Sequence, residues 1–544
     1  MSTLIESITG HGDQLFGKRS QLMSLWQTLA DEFYPERADF TTVRNVGEEF
    51  SKNLMSSYPV LARRDLGNSF AGMLRPTAKD WFKIGTNRPD DEDTLSKQWL
   101  EWMGKLMKRA MYDRRAQFTR ATKEGDHDFA TFGQCAISTE MNRDRNGLLY
   151  RCWHLRDMAW AEDSEGKIST VHRKWQPTAR ELSQLFPKTI HEAVRKKLEK
   201  DPYSEVHVRH VVMPAEEYAE LPGAERIRTP FVSLHIDVDH KHVMETTGLW
   251  TKFYNIPRWQ TVSGSQYAHS PAAVAALPDA RLLQAMTLTL LSAGEKAVDP
   301  PMLAVREAIR GDVSIYAGGI TWVDAEYDER LGEVLRAMTI DNRGLAFGLD
   351  SQQDLRSQLA DAFYLSKLNL PPVTGRDMTA YEVGQRIQEF IRNTLPLFEP
   401  MELDYNGGLC EDTFELLIRN SPEIRASVPK AIQGADIQFS FESPLHEAVE
   451  KAKVGQLAES FQILAQAMQL DPGAINILDG HEAIRDTLTA VVPAKWLRDK
   501  ATVEDLAQQQ AAAAQAQQML ATMQGGADVA KTLAESGMVP TGAQ

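Results

Sequence analysis

The sequence predicts an α+β chain, mainly helical, divided into several lobes. Three observations predict it. A length of 544 residues exceeds what a single hydrophobic core holds. Apolar residues recur at helical spacing towards both ends of the chain, and the stretch from Leu148 to about Thr261 changes to β-rich runs broken by prolines. With 42% of residues hydrophobic and 25% charged, the chain can fill its cores without disulfides or metals.

The elements follow in order. Leu22, Leu25, Trp26, Leu29 and Phe33 mark a first helix from about Ser20, stopped by Pro35. A second apolar helix is predicted over 58–74, and a longer one over 97–123 carrying Trp99, Trp102, Met103, Met107 and Met111. In the middle, 205–213 and 231–236 read as strands, and 237–242 as the turn after the second. Pro278 and Asp279 suit a helix's first turn, and Leu282, Leu283, Met286 and Leu290 give it one apolar face. Running to Val298, it would be roughly 30 Å long. An insertion follows Pro300-Pro301, with a strand at 320–323 and a short helix near 330–338. The next helix spans 351–369 and stops at Pro371-Pro372. Thr379 and Glu382 form a capping box with Met378 placed to staple onto Val383, the strongest local signal in the chain. The last hundred residues read as helices, with an Ala/Gln-rich one at 503–523 before a polar tail.

Composition narrows the function. Cys135, Cys152 and Cys410 are scattered and odd in number, which points to a reducing compartment and away from a disulfide framework. The most apolar stretch, 271–291, is interrupted by Pro278, Asp279 and Arg281, so no membrane insertion is expected; nor does the N-terminus read as a secretory signal. A net charge of −15 is the wrong sign for a protein that grips duplex DNA. It suits a surface that DNA slides past. Charge is also segregated: Lys97–Lys123 is basic, whereas Thr321–Ala360 carries eight acids against four arginines. The basic stretch suits a nucleic-acid face, a solvated helix side or a subunit interface, the solvated side being the commonest case.

Catalytic signatures are lacking. No G-x-x-x-x-G-K-[ST] occurs; Gly104-Lys105 and Gly166-Lys167 lack the flanking glycine and the hydroxyl residue. His191-Glu192, His446-Glu447 and His481-Glu482 each lack a second histidine one turn later, where Arg195, Glu450 and Arg485 stand. The richest metal constellation is Asp237, Asp239, His240 and His242, whose competing reading is a solvated hairpin end centred on Lys241. A metal-dependent hydrolase at 237–242 is therefore the alternative function, and no cofactor, metal or catalytic residue is otherwise expected.

Several fragments, in this order, resemble the portal (head-to-tail connector) family of short-tailed bacteriophages. They are Trp26-Gln-Thr-Leu-Ala-Asp-Glu-Phe-Tyr-Pro-Glu-Arg-Ala38, the run 61–74 leading to Trp81-Phe82, and Tyr254-Asn-Ile-Pro-Arg-Trp259. Met378-Thr-Ala-Tyr-Glu-Val383 and Phe441-Glu-Ser-Pro-Leu445 complete the series. The resemblance covers most of the chain and implies a non-enzymatic, portal-type fold forming a dodecameric ring at one capsid vertex, at the virion's head–tail junction, after assembly in the bacterial cytoplasm.

On that plan residues 1–277 form a wing with the β-rich lobe, and 278–298 and 351–369 are paired stem helices. Residues 299–350 form the clip, 370–377 a channel loop, 378–440 the wing's return, 441–524 the crown and 525–544 a tail. The implied partners are other copies of the chain, major capsid and scaffolding proteins, the terminase large subunit, tail adaptor and internal core proteins, and double-stranded DNA passing through non-specifically. Lys367 and Arg376 flank the channel loop as DNA candidates, and Arg306 and Arg310 are clip docking candidates.

Overall fold

A computed structural model describes residues 2–45, 47–88, 93–304, 335–337, 343–368 and 401–441. Before the central lobe come helices α1 (Ser2–Lys18), α2 (Ser20–Phe33), α3 (Tyr58–Leu74), α4 (Thr94–Met111) and α5 (Phe118–Phe132), with strand β1 (Phe82–Thr86). Next come β2 (Ala136–Met141), β3 (Leu148–Trp153), β4 (Met158–Glu162), β5 (Ile168–Trp175), β6 (Val208–Pro214), β7 (Phe231–Asp237), β8 (His242–Leu249) and β9 (Tyr254–Asn255). Between these strands lie α6 (Ala179–Leu185), α7 (Glu192–Lys200) and α8 (Ala215–Glu220). Then follow α9 (Pro271–Val298), β10 (Met302–Ala304), β11 (Leu335–Ala337), α10 (Arg343–Ala362) and α11 (Leu365–Leu368). A π-helical turn (Glu402–Gly407), α12 (Gly408–Asn420), α13 (Pro422–Ala426) and β12 (Ile437–Phe441) complete the described chain.

Two compact units result. Of the described residues, the larger comprises those within 2–83, 104–427 and 439–441; the smaller comprises those within 84–103 and 428–438. In the smaller unit the Asn87 amide donates to the Asp436 carbonyl (3.0 Å), and the Trp99 and Trp102 rings lie 6.3 Å apart.

At the centre of the larger unit stands α5, buried over nearly all of its length. Three consecutive residues on it are polar, and successive helix positions turn by 100°, so they point to different sides. Each meets an arginine from the N-terminal segment. Asp128 takes a bidentate pair from Arg37 (2.7 and 3.1 Å), His127 Nδ1 lies 3.0 Å from Arg63 Nη1, and Asp126 pairs with Arg75. Arg75 also donates to Asn406 Oδ1 in the π-helical turn (2.9 Å). Burial raises the Asp126 carboxyl, with Arg75 pulling the other way, and burial together with Arg63, Lys123 and Arg64 holds His127 down at about 4. The rest of this core is aromatic: Trp259 stacks on Phe129 at 5.4 Å and meets Phe70 edge-on at 5.6 Å.

The β-rich lobe is a five-stranded antiparallel meander in the order β4-β5-β6-β7-β8. Alternation gives it two covered faces. Val211, Val232, Leu234 and Ile236 pack under Leu4, Ile5 and Ile8 of α1, while Val208 and Met244 pack with Leu182 of α6, Phe186 just after it and Val194 of α7. Histidines are embedded in the sheet. His210 stacks on His235 (4.2 Å, 15° between planes) and touches Tyr254 Oη (2.5 Å) and Ser233 Oγ (2.8 Å). His172 is fully buried, and neither of its ring nitrogens has a hydrogen-bond partner.

Several sequence expectations need correction. α1 was not foreseen, because Gly10, Gly12 and Gly17 depress its propensity. Gly12 is needed there, since a Cβ would collide with His172 and Arg209. The helix expected over 97–123 is two helices. A turn at Asp113 and the left-handed Gln117 (φ 55°) break it, freeing the Ala116 carbonyl to accept from Tyr150 of β3 (2.8 Å). The strand region begins earlier, at β2, and α6, α7 and α8 interrupt it. The helix expected from Pro278 begins at Pro271, where Ser270 Oγ accepts from the Ala273 amide (3.1 Å), so Pro278 lies inside it. The helix expected at 351–369 runs instead from Arg343 to Ala362 and ends before the left-handed Tyr364 (φ 58°). The helix expected near 330–338 is replaced at Leu335–Ala337 by a strand paired with Met302–Ala304. The capping box at 379, the strand at 320–323, the channel loop and everything expected after 441 lie outside the described residues.

Two outcomes follow from the buried charges and rings. Arg75→Ala strands the Asp126 carboxyl and should cost about 3–5 kcal/mol, whereas Arg75→Met with Asp126→Leu recovers most of it; thermal melts of the three proteins measure this. Burial holds His172 and His235 at about 3, and His210 well below its usual value. These depressed values mean the fold favours neutral rings. That stability is present above the unfolded histidine value of about 6.5 and is lost as the pH falls towards 3. Hydrogen exchange in β5–β7 should therefore accelerate between pH 6.5 and 4, after correction for intrinsic rates, and His172→Leu should shift that loss to lower pH.

Candidate functional site: a projecting helix pair

α9 and α10 lie antiparallel. Gln352 Nε2 donates to Thr287 Oγ1 (2.8 Å), and Gly348 faces Leu290 so closely that a Cβ there would collide with the leucine. The C-terminal half of α9 therefore runs along the N-terminal half of α10. Small residues seat the beginning of α9 on the body: Ala272, Ala273, Ala276, Ala280 and Leu283 are buried. Beyond Leu283 no residue of α9 is buried, leaving roughly 20 Å of helix supported by α10.

The base of the pair is fixed by polar and aromatic contacts. Gln284 Oε1 accepts from the Met55 and Ser56 amides (2.8 and 2.7 Å), and its Nε2 donates to the Ser56 carbonyl (3.0 Å). Phe363, at the end of α10, meets Phe33 edge-on at 5.3 Å. Ser270 Oγ donates to the Ala130 carbonyl (2.7 Å), tying the start of α9 to α5.

The exposed surface of the pair is unusual in two ways. Leu282, Leu288, Leu291, Phe347 and Leu349 are all solvent-facing, with Leu291 56% and Phe347 76% exposed. By length and composition alone α9 also qualifies as a membrane span, because the helix continues through the Pro278–Arg281 interruption that argued against one. Asp350, Asp354 and Asp361 share one exposed face of α10, since steps of four and seven residues return to the same side. The pair offers an apolar surface for packing and an acidic one that repels anions.

Comparison with known proteins gives the relationship. The family model for the bacteriophage head to tail connecting protein matches residues 6–497. The chain belongs to this family. The "Probable portal protein" of Bordetella phage BPP-1 is 28% identical over 460 residues, covering 80% of this chain and 78% of that one. The "Portal protein" of Salmonella phage epsilon15 is 23% identical over 533 residues, covering 96% and 94%. A solved chain of the "Virion of native gene transfer agent (GTA) particle" aligns over 82% of this chain and 94% of its own. At 12% identity and a TM-score of 0.34 that likeness carries no argument.

The connector's sequence-predicted site residues fare unequally. Lys367 lies on α11, where its amide donates to the Tyr364 carbonyl (3.0 Å) and its ammonium sits 5.7 Å from the Tyr364 ring. Arg376, Arg306 and Arg310 lie outside the described residues. The hydrolase alternative loses its geometric basis. Asp237 binds the His240 amide and ring (3.1 and 2.8 Å), Asp239 meets His207 (3.2 Å), and His242 meets the Thr189 carbonyl (2.8 Å). Asp237 and His240 thus pair with each other while Asp239 and His242 turn elsewhere, and no three His, Cys, Asp or Glu side chains are grouped to hold a metal among the described residues. The sequence marked Thr321–Ala360 as acidic without placing its acids on one face of α10, and Gln284 went unnoticed. The spacing of Asp350, Asp354 and Asp361 is the signal that pointed to that face, but a lone Gln284 carries none.

Gln284→Ala should free the loop at 55–56 at a cost of about 1–2 kcal/mol, seen as faster hydrogen exchange at Met55 and Ser56 in a protein that still folds.

Proposed function

We propose that this connector is a phage portal of the short-tailed type, twelve copies of which form a ring at one capsid vertex. The observation that carries this reading is the apolar surface left open on the projecting helix pair. Such a surface is costly in water and is relieved by packing against neighbours. Copies arranged around an axis, each pair meeting the next through two different faces, would close it into a ring. The same packing accounts for the length and composition of α9 without a bilayer.

On this reading α9 and α10 are the stem, the segment between them the clip, and the body below them the wing. The channel passes double-stranded DNA during packaging and ejection. The Asp350–Asp354–Asp361 face and the net charge of −15 support a lumen that repels phosphate and keeps the grip weak. Lys367 and Arg376 supply brief local contacts, and Arg306 and Arg310 dock the terminase or tail proteins. Capsid, scaffolding and internal core proteins complete the partners. The ring makes and breaks no covalent bonds.

Negative-stain images of the full-length protein test the reading: perforated rings are expected, and a monomer under every condition of salt and concentration overturns it. Leu288→Asp with Leu291→Asp, at exposed positions, should keep the wild-type melting temperature and lose the ring, as light scattering would show.

A further inference from the structure

A second feature of the larger unit lies away from the helix pair. Between α3 and α5 lies an open cleft of about 440 Å³. Its lining is largely small and apolar: Ala71, Gly72, Pro76 and Phe118, with Tyr112 beside them. At Gly67 a Cβ would collide with the His127 ring, whereas at Gly72 it would meet nothing within 4 Å. The back of the cleft is therefore tightly packed and its front stands open.

Basic residues adjoin the cleft along the chain. Lys123 lines the cleft, and Arg114, Arg115 and Arg120 are exposed on the turn before α5 and on its first turn. Asp113 and Glu124 meet Arg115 and Arg120 in exposed pairs (3.3 and 3.6 Å), which bind weakly in water. Among the described residues, no carboxylate lies within ion-pair distance of Arg114 or Lys123.

This is the end of the basic stretch whose role the sequence left open between a nucleic-acid face, a solvated helix and a subunit interface. A solvated helix face needs no cleft. A DNA duplex presents a convex rod of phosphates, and none of it enters a pocket of this size with an apolar lining. A chain segment does, bringing a few side chains.

Resting on the ring reading above, we infer that the α3–α5 cleft is one half of the contact between adjacent copies and takes an acidic segment, with a small apolar side chain, from the neighbouring copy. Charge singles out a second copy. At −15 each, copies repel one another except where a basic patch meets acid, and such a patch fixes the register of approach. A ring contact is heterologous, so one copy needs a receiving surface and the next a different one to offer.

The test uses the full-length protein with p-benzoylphenylalanine in place of Thr119, which lines the cleft. Irradiated rings should give a covalent dimer whose cross-link maps to an acidic peptide of this same chain. A second protein, Arg114→Glu with Arg120→Glu and Lys123→Glu, should melt as the wild type does. It should need about tenfold more protein for half-assembly at about 0.1 M salt, and the difference should vanish near 1 M. Rings that assemble normally in this variant and give no copy-to-copy cross-link overturn the inference while leaving the ring intact. A cross-link only to DNA or to a different protein overturns it as well. Wild-type protein that forms no ring removes the reading on which the inference stands, and does so before any cross-link is attempted.

Discussion

Three arginines close on one buried helix, and the placement of the other elements follows from that. Asp126, His127 and Asp128 are consecutive, so no single neighbour satisfies them; partners must arrive from three directions. Arg37, Arg63 and Arg75 come from the turn after α2, from α3 and from the end of α3. Satisfying α5 therefore fixes the whole N-terminal segment around it. Arg75 extends the reach to Asn406, drawing in the π-helical turn before α12. A charge buried without its partner costs several kcal/mol, so this arrangement is specified far more sharply than an apolar core of the same size.

From α5 the order passes outward to the helix pair. Gly133, left-handed at the end of α5 (φ 75°), lies against the backbone of His269 and Ser270, where a side chain would collide. Ser270 then bonds both the Ala130 carbonyl and the first turn of α9. The end of one helix thus sets the start of the next. Gln284 and Phe363 hold the base of the pair on the other sides, and everything beyond Leu283 is left to pack with α10 and with whatever meets its exposed leucines. Rigid seating below and unsatisfied apolar surface above are what an assembling subunit needs: a fixed angle of presentation and a reason to associate.

Much of this was legible in the chain. Helices α2 and α3 follow from apolar spacing and proline placement, because a period of 3.6 residues leaves a direct trace in sequence. The strands at 208–214 and 231–237 were legible for the same reason, with a period of two. α1 was not, because its three glycines mask a helix that tertiary packing supports. Gly348 likewise concealed the beginning of α10: glycine weakens helices in general, and here it lies close against the Leu290 side chain.

By itself the sequence determined the class of fold, the alternation of helical and β-rich lobes, the family, and the lack of a nucleotide or metal signature, since each is written in local pattern or in motif. Only the tertiary structure decided which polar residues are buried and paired, where α9 and α10 begin, and which faces they leave open. Those depend on residues far apart in the chain, Arg75 with Asp126 and Asn406, Gln284 with Ser56, Gln352 with Thr287, and no local pattern encodes a contact made across a fold.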